Sequence, residues 1–554
     1  MITLSGKPVC GGIVFGKIYI YSRKESIIVR SHVSSSDTEI QRFENARLQA
    51  YNELGELYEK AVEEVGKANA MIFQIHQMML EDPDYIESIK NIITDELLNA
   101  ETAVGQTCDN LVQMFKAMED EYMRERSADI RDVSERIIRI LGGKSRSGID
   151  TDEPVIIVSD DLSPSETVQF DKDKILAFVT EGGSDNSHTS ILARTMNIPA
   201  IINVKNIVSD EYNGLNAVID GFSGTVYINP DKKTTLKLRQ LQKNSEENIK
   251  NLEQLKGVPN ITKDGQKIEL CANIGNILDM PAVVSNDADG IGLFRSEFIY
   301  LENTAYPTEE QQFEAYKYLL SQMPDKRIII RTLDIGADKQ AAYFNMPKEE
   351  NPAMGIRAIR ICLRRPEIFK TQLRALFRAS VFGRLAIMFP MISSEWEIIK
   401  ILNIVDEVKT ELKSENIPYS ETVELGCMIE TPASAIISDI LAKYVDFFSI
   451  GTNDLTQYTL AADRQNPDIG EFFDIHHKSL LRLIKLVADN AHANGIRVGI
   501  CGELAADTSL TDFFLSADID ELSVTPNAVL PLRQKIINTD VSKVKESILS
   551  DILN

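Results

Sequence analysis

The chain has 554 residues, 43% of them hydrophobic and 26% charged, with a formal net charge of −24. So acidic a balance is repelled by phosphate backbones and anionic lipid, which excludes nucleic acid as an expected partner and favours a basic protein. No apolar run approaches the roughly 20 residues that cross a bilayer, and the opening MITLSGKPVCGG lacks the basic and apolar regions of a secretory signal, so a cytoplasmic protein without membrane insertion is expected.

Residues 1–20 read as a short apolar strand segment punctuated by glycine, after which the sequence turns charged and helix-periodic until about 145. The first helix is expected to open at Ser36, with Glu39 closing a capping box, and to continue through IQRFENARLQAYNELGELYEKAVEEV. Further amphipathic stretches at 71–80, 86–116 and 132–141, divided by breaks such as Glu81, Asp82 and Pro83, predict a helical bundle. From 154 to 230 the runs PVIIVS, KILAFVT, PAIINV, NAVID and GTVYIN predict strands of a compact α/β unit, with the helical segment SHTSILART between them. Residues 231–259 are charged and poor in aromatics, which is the composition of a semi-rigid helical connector.

Beyond 260, strand and helix patterns alternate. The strand candidates IELCA, GIGLF, RIIIR, LAIMF, LGCMI, FFSI, RVGIC and DELSV number eight, which predicts a closed (β/α)8 barrel of TIM type. Such barrels gather catalytic groups at the C-terminal ends of their strands. Arg295 and Glu297, Arg331 and Asp334, Glu430, Asn453 and Asp454, and Cys501 all follow or end a predicted strand and should share one mouth. Arg295, Arg331, Arg357 and Arg464 supply forked cationic donors suited to a small, highly anionic substrate. Glu430 and Asp454 offer the oxygen ligands that Mg²⁺ prefers, and the Cys501 thiol could deliver a proton to carbon. His188, outside the barrel, stands at a helix start where backbone N–H groups and the helix dipole favour a phosphate, and an imidazole phosphorylated on nitrogen is a transferable intermediate.

Other conspicuous residues have ordinary readings. Cys10, Cys108, Cys271, Cys362, Cys427 and Cys501 lack any CxxC spacing, so free thiols are expected, and Cys271, Cys362 and Cys427 read as inert packing. His32, His76, His476 and His492 read as caps, packed residues or partner contacts, and His477 has no assigned role. Arg360, Arg364, Arg365 and Arg374 are expected on one helix, facing solvent or a dimer partner.

The blocks AMIFQIHQMMLEDP, YMRERSADIRDV, DLSPSET, NSHTSILARTMNIPA, DGIGLFRSEF, RTLDIGADK, ENPAMGIRAIR, MIETPAS, SIGTNDLTQYTLAADR and GICGELAAD occur in an order that resembles enzyme I of the bacterial phosphoenolpyruvate-dependent sugar phosphotransferase system. The resemblance covers essentially the whole chain. It implies a multidomain fold: an α/β phosphohistidine domain from 1–20 and 146–230, an inserted helical domain at 21–145 that docks the carrier HPr, a linker at 231–260, and a barrel at 261–554 that binds phosphoenolpyruvate and dimerises. It also implies that His188 takes the phosphoryl group and passes it to a histidine of HPr, releasing pyruvate, with Cys501 as proton donor to the enolate. Glu430 and Asp454 are implied to hold Mg²⁺, Arg295, Arg331, Asn453, Asp454 and Arg464 to bind substrate, and Lys339, Arg357 and Glu503 to support the site.

There are departures from the family pattern. Asp185 stands before His188 where a cation is common, and a carboxylate at about 4 Å from a phosphohistidine would cost on the order of 1 kcal/mol even in water. Ser163 and Ser296 replace threonines, Cys10 and Gly11 replace Ser-Pro, Ala353, Met354 and Ile356 alter the ENPFLGWR block, and His476-His477 replaces a single histidine followed by proline. A pyruvate phosphate dikinase or phosphoenolpyruvate synthase shares the histidine segment and barrel, but residues 21–145 contain no glycine-rich nucleotide loop. The intact set of candidate residues argues against a silent scaffold.

Overall fold

The apolar runs at 1–20 and 154–230 pair into one eight-stranded sheet, the base of the first of two units, Met1–Asn248. This computed structural model describes residues 1–21, 29–65, 67–116, 121–143, 151, 153–162, 166, 170, 174–183, 189–190, 193, 198–301, 303, 305–336, 342–346, 349–464 and 466–553. The opening segment forms three strands rather than one: β1 (Ile2–Ser5), β2 (Lys7–Cys10) and β3 (Ile13–Ile20). Gly12, at φ 139°, adopts a backbone that a side chain would resist and turns β2 away from β3. With β4 (Val155–Ser159), β5 (Ile175–Thr180), β6 (Ala200–Ile202), β7 (Asn216–Asp220) and β8 (Thr225–Ile228), the order is β1-β8-β7-β3-β4-β5-β6-β2. β4 is buried throughout because Ile156 and Val158 enter one apolar cluster and Val155 and Ile157 another, on opposite faces. β3 and β4 are parallel neighbours, so the helices between them are an excursion from a single sheet.

That excursion contains α1 (Ser36–Val65), α2 (Lys67–Glu81), α3 (Pro83–Glu96), α4 (Ala100–Lys116) and α5 (Glu121–Leu141). Along α1, Phe43, Ala46, Ala50, Leu54, Leu57 and Ala61 recur at three and four spacing and form one buried stripe. The expected cap is displaced by one residue. Ser35 Oγ accepts the Thr38 N–H at 3.4 Å, while Glu39 accepts the Ala100 N–H at 2.8 Å and pairs with Arg42, because a partner on α4 outcompetes the local bond. Asp82 caps α3 through the N–H groups of Asp84 and Tyr85. His76 is fully buried between Asp129 and Asp132 of α5, at 3.3 and 3.7 Å. The connector is helical over Lys232–Glu253, and its first half packs on the sheet, with Leu238 buried beside Ile13 and Val218.

The second unit, Ile249–Asn554, is the closed eight-stranded parallel barrel that the strand count predicts. Its staves are β9 (Glu269–Ile274), β10 (Ile291–Arg295), β11 (Arg327–Arg331), β12 (Arg384–Phe389), β13 (Glu424–Ile429), β14 (Phe447–Ile450), β15 (Arg497–Ile500) and β16 (Glu521–Val524), and β16 closes on β9. Alternate residues fill the interior in tiers. At the N-terminal end, Arg327 bridges Glu424 at 2.7 Å and Glu521 at 3.1 Å, and Arg497 meets Glu269 at 2.9 Å. Above them Leu293, Ile329, Ala386, Met388, Met428, Phe447 and Cys501 form an apolar plug. Gly292 and Gly426 make room in it, since a Cβ on either would collide with Glu521 and Ser523 or with the Phe447 ring. Outside the barrel, Pro366 splits the expected arginine helix into Ile359–Arg364 and Pro366–Ala379. Only Arg364 of the four is simply exposed: Arg360 donates to the carbonyls of Met354 and Gly355, Arg365 to Tyr306 and Phe344, and Arg374 pairs with Glu309 and Glu415. His476 pairs with Asp507, His492 with Asp520, and His477 caps the helix Lys478–Ala493.

Among the described residues no helix is long and apolar enough to cross a membrane, and all six cysteines are free. Arg533, 1% exposed, ties the entry of the second unit to the barrel wall through Leu255 O, Asn260 Oδ1 and Asp287. Arg533→Met keeps the bulk but strands these acceptors, and chemical denaturation should register a loss of about 2–3 kcal/mol in this unit.

Candidate active site at the barrel mouth

A cavity of about 300 Å³ opens at the C-terminal ends of the strands, lined by Leu293, Arg295, Arg331, Asp334, Arg357, Met428, Glu430, Gly451, Asn453, Asp454, Arg464, Cys501, Gly502 and Glu503. Ten residues singled out in the sequence therefore meet here: Arg295, Arg331, Asp334, Arg357, Glu430, Asn453, Asp454, Arg464, Cys501 and Glu503. His188, Lys339, Asp185 and Ser163 lie outside the described residues, although Thr189 and Ser190 just after His188 are helical and buried.

Asp334 is the centre of the arrangement. Its Oδ2 lies 2.8 Å from Arg331 Nη1 and its Oδ1 3.1 Å from Arg357 Nη2. Arg331 also meets Glu297 at 2.5 Å, and Arg357 meets Asp454 at 3.3 Å and the Tyr458 hydroxyl at 3.1 Å. Burial works against both guanidinium charges, yet the surrounding carboxylates outweigh it and raise both pKa values. Asn453 and Glu503 exchange reciprocal hydrogen bonds of 3.2 Å, while Arg295 is half-buried and Arg464 exposed at the rim.

The local backbone aims Arg357. Ala358 sits at φ 51° and ψ −125°, a conformation usually left to glycine, and the Arg360 N–H donates to Arg357 O at 3.0 Å across the resulting turn. Glu349 receives the Ile356 N–H, and the Ala358 N–H reaches Ile335 O beside Asp334, so the turn is held from both sides.

Among the described residues, Arg331 and Arg357 face the buried carboxyl groups of Glu297, Asp334, Glu430 and Asp454, with Arg295 and Arg464 lining the same cavity. Burial, followed by the nearby charges of Asp454 and Asp334, pushes Glu430 up to about 8. The donor set therefore fits an oxygen-loving cation at Glu430 and Asp454. Elsewhere Glu269, Cys271 and Glu521 also cluster, but at the opposite end of the barrel, where Arg327 pairs with Glu521 and Arg497 with Glu269. Burial also pushes the Cys501 thiol up to about 11, so it holds its proton at neutral pH. Asp334 carried a detectable sequence signal, three residues after Arg331 at a strand end. Glu297, just after β10, carried a similar signal and meets Arg331 beneath the cavity lining, whereas Tyr458 carried none.

Family models match three segments: a PEP-utilising enzyme, N-terminal domain at residues 5–126, a PEP-utilising enzyme, mobile domain at 151–224, and a PEP-utilising enzyme, PEP-binding domain at 249–541. The phosphoenolpyruvate-protein phosphotransferase of Staphylococcus carnosus is 40% identical over 544 residues, 98% of this chain and 95% of that protein. That of Bacillus subtilis is 40% identical over 554 residues, 99% and 97% of the two chains. A solution structure of Enzyme I (nEIt), 36% identical, covers 44% of this chain and 99% of its own, with a TM-score of 0.38. On the full-length matches, the chain belongs to the phosphoenolpyruvate-protein phosphotransferase family.

Proposed function

We propose that this enzyme takes the phosphoryl group of phosphoenolpyruvate onto His188 and passes it to a histidine of HPr, releasing pyruvate, as the first step of sugar uptake by the phosphotransferase system. Transfer from phosphoenolpyruvate to protein is the family's activity; the route through particular residues is our reading. The observation that carries it is the cavity itself, in which two buried arginines, a shared Asp334 and a protonated thiol surround space for one small anion.

In this reading Arg331 and Arg357 receive the phosphate and carboxylate oxygens, joined at the rim by Arg295 and Arg464, while Asn453, Glu503 and Lys339 complete the contacts. Glu430 and Asp454 would hold Mg²⁺, which supplies charge stabilisation at the enolate oxygen. An imidazole nitrogen of His188 attacks phosphorus as the ester P–O bond breaks, and the bond's electrons leave with the enolate oxygen. The Cys501 S–H then gives its proton to the enolate carbon, and the thiolate recovers one from water. A raised pKa suits this role, because the thiol is fully protonated when the enolate appears.

His188 and the cavity belong to separate units, so the connector at 231–260 must let them meet and part. The helical domain at 21–145 docks HPr, the barrel pairs two copies as a homodimer, and the location is cytoplasmic.

Incubation with labelled phosphoenolpyruvate, Mg²⁺ and HPr, without ATP, should label His188 and then HPr. Label on a histidine of His188→Ala would sink the assignment. Asp334→Asn should weaken phosphoenolpyruvate use by at least tenfold in kcat/KM, because both arginines lose a shared anionic anchor. Cys501→Ala should slow pyruvate formation, whereas a normal rate would remove its role as acid. Iodoacetamide should modify Cys501 slowly near pH 7 and faster as pH rises toward about 11, as peptide mapping would show.

A further inference from the structure

Met391 is a non-glycine residue in the left-handed region, at φ 56°, and is buried in the barrel's outer core at 1% exposure. It follows β12, next to β13, whose end carries Glu430. Its N–H donates to Glu430 Oε1 at 2.5 Å. The other oxygen turns the opposite way: a Cβ placed on Gly451 would lie 3.0 Å from Glu430 Oε2, so that oxygen faces the turn leading into Asp454. An ordinary backbone at Met391 would rotate this N–H away from the carboxylate, leaving the carboxylate to swing toward the nearby guanidiniums.

We propose that Met391 is a positioning residue whose left-handed backbone, rather than its side chain, pins one oxygen of Glu430 and presents the other beside Asp454 for a divalent cation. The inference rests on reading Glu430 and Asp454 as cation ligands. Sequence offers no hint of it, since MFPMISS has neither glycine nor asparagine at the position that turns.

Three variants of the full chain separate backbone from packing. Met391→Leu keeps both the volume and the backbone tolerance, Met391→Ile keeps volume but resists positive φ, and Met391→Gly accepts positive φ but leaves a void. Mn²⁺ alone is titrated into each, with the free ion followed by electron paramagnetic resonance and thermal melting recorded alongside. We expect wild-type affinity in the Leu variant, affinity within about threefold in the Gly variant despite a lower Tm, and about tenfold weaker binding in the Ile variant. Equal Mn²⁺ affinity in the Ile and Leu variants, or weakening confined to the Gly variant, overturns the role of Met391 alone. Absence of Mn²⁺ binding by the wild type overturns the cation reading itself.

Discussion

One carboxylate shared by two buried guanidiniums organises the barrel mouth. Asp334 faces Arg331 on one side and Arg357 on the other, joining two buried cations that each have a further carboxylate partner, Glu297 for Arg331 and Asp454 for Arg357. Because Arg331 ends β11 and Arg357 sits on a loop, the bridge ties that loop to the strand. Arg357 in turn reaches Asp454 and Tyr458, which draws the helix Thr452–Leu460 into the same network. The donors are therefore in position before any ligand arrives, and little reorganisation is needed when negative charge develops between them.

The tiers beneath the mouth make that arrangement durable. The apolar plug from Leu293 to Cys501 separates the charged mouth from the charged ring of Arg327, Glu424, Glu521, Glu269 and Arg497. Arg327 lies 4.3 Å from the Phe447 ring centroid, so its charge rests on an aromatic face and not on the cavity. The same plug surrounds Cys501 with little water. A thiol in such a place remains protonated, and its acidity becomes available only to a strongly basic carbon beside it. Cys501, the proposed acid, is thus also part of the core packing.

Much of this was legible in the chain's order. The eight strand runs predicted the barrel, and the residues at their C-terminal ends predicted which side chains would line the mouth. Errors were local and had a common cause. The cap of α1 moved from Ser36 to Ser35 because Glu39 had a better partner in Ala100, more distant in sequence. Arg360, Arg365 and Arg374 engage carbonyls and glutamates of other elements, which helix periodicity does not register.

By itself, then, the sequence determined the strands, the amphipathic helices and the set of chemically able residues at the strand ends. These follow from alternation and spacing among near neighbours, where backbone geometry dictates direction. Only the tertiary structure decided that Asp334 serves two arginines, that Glu297 and Tyr458 support them, and that Met391 turns its N–H toward Glu430. Each is a contact between groups brought together by barrel closure, and its strength comes from burial and local charge, which no stretch of contiguous residues possesses.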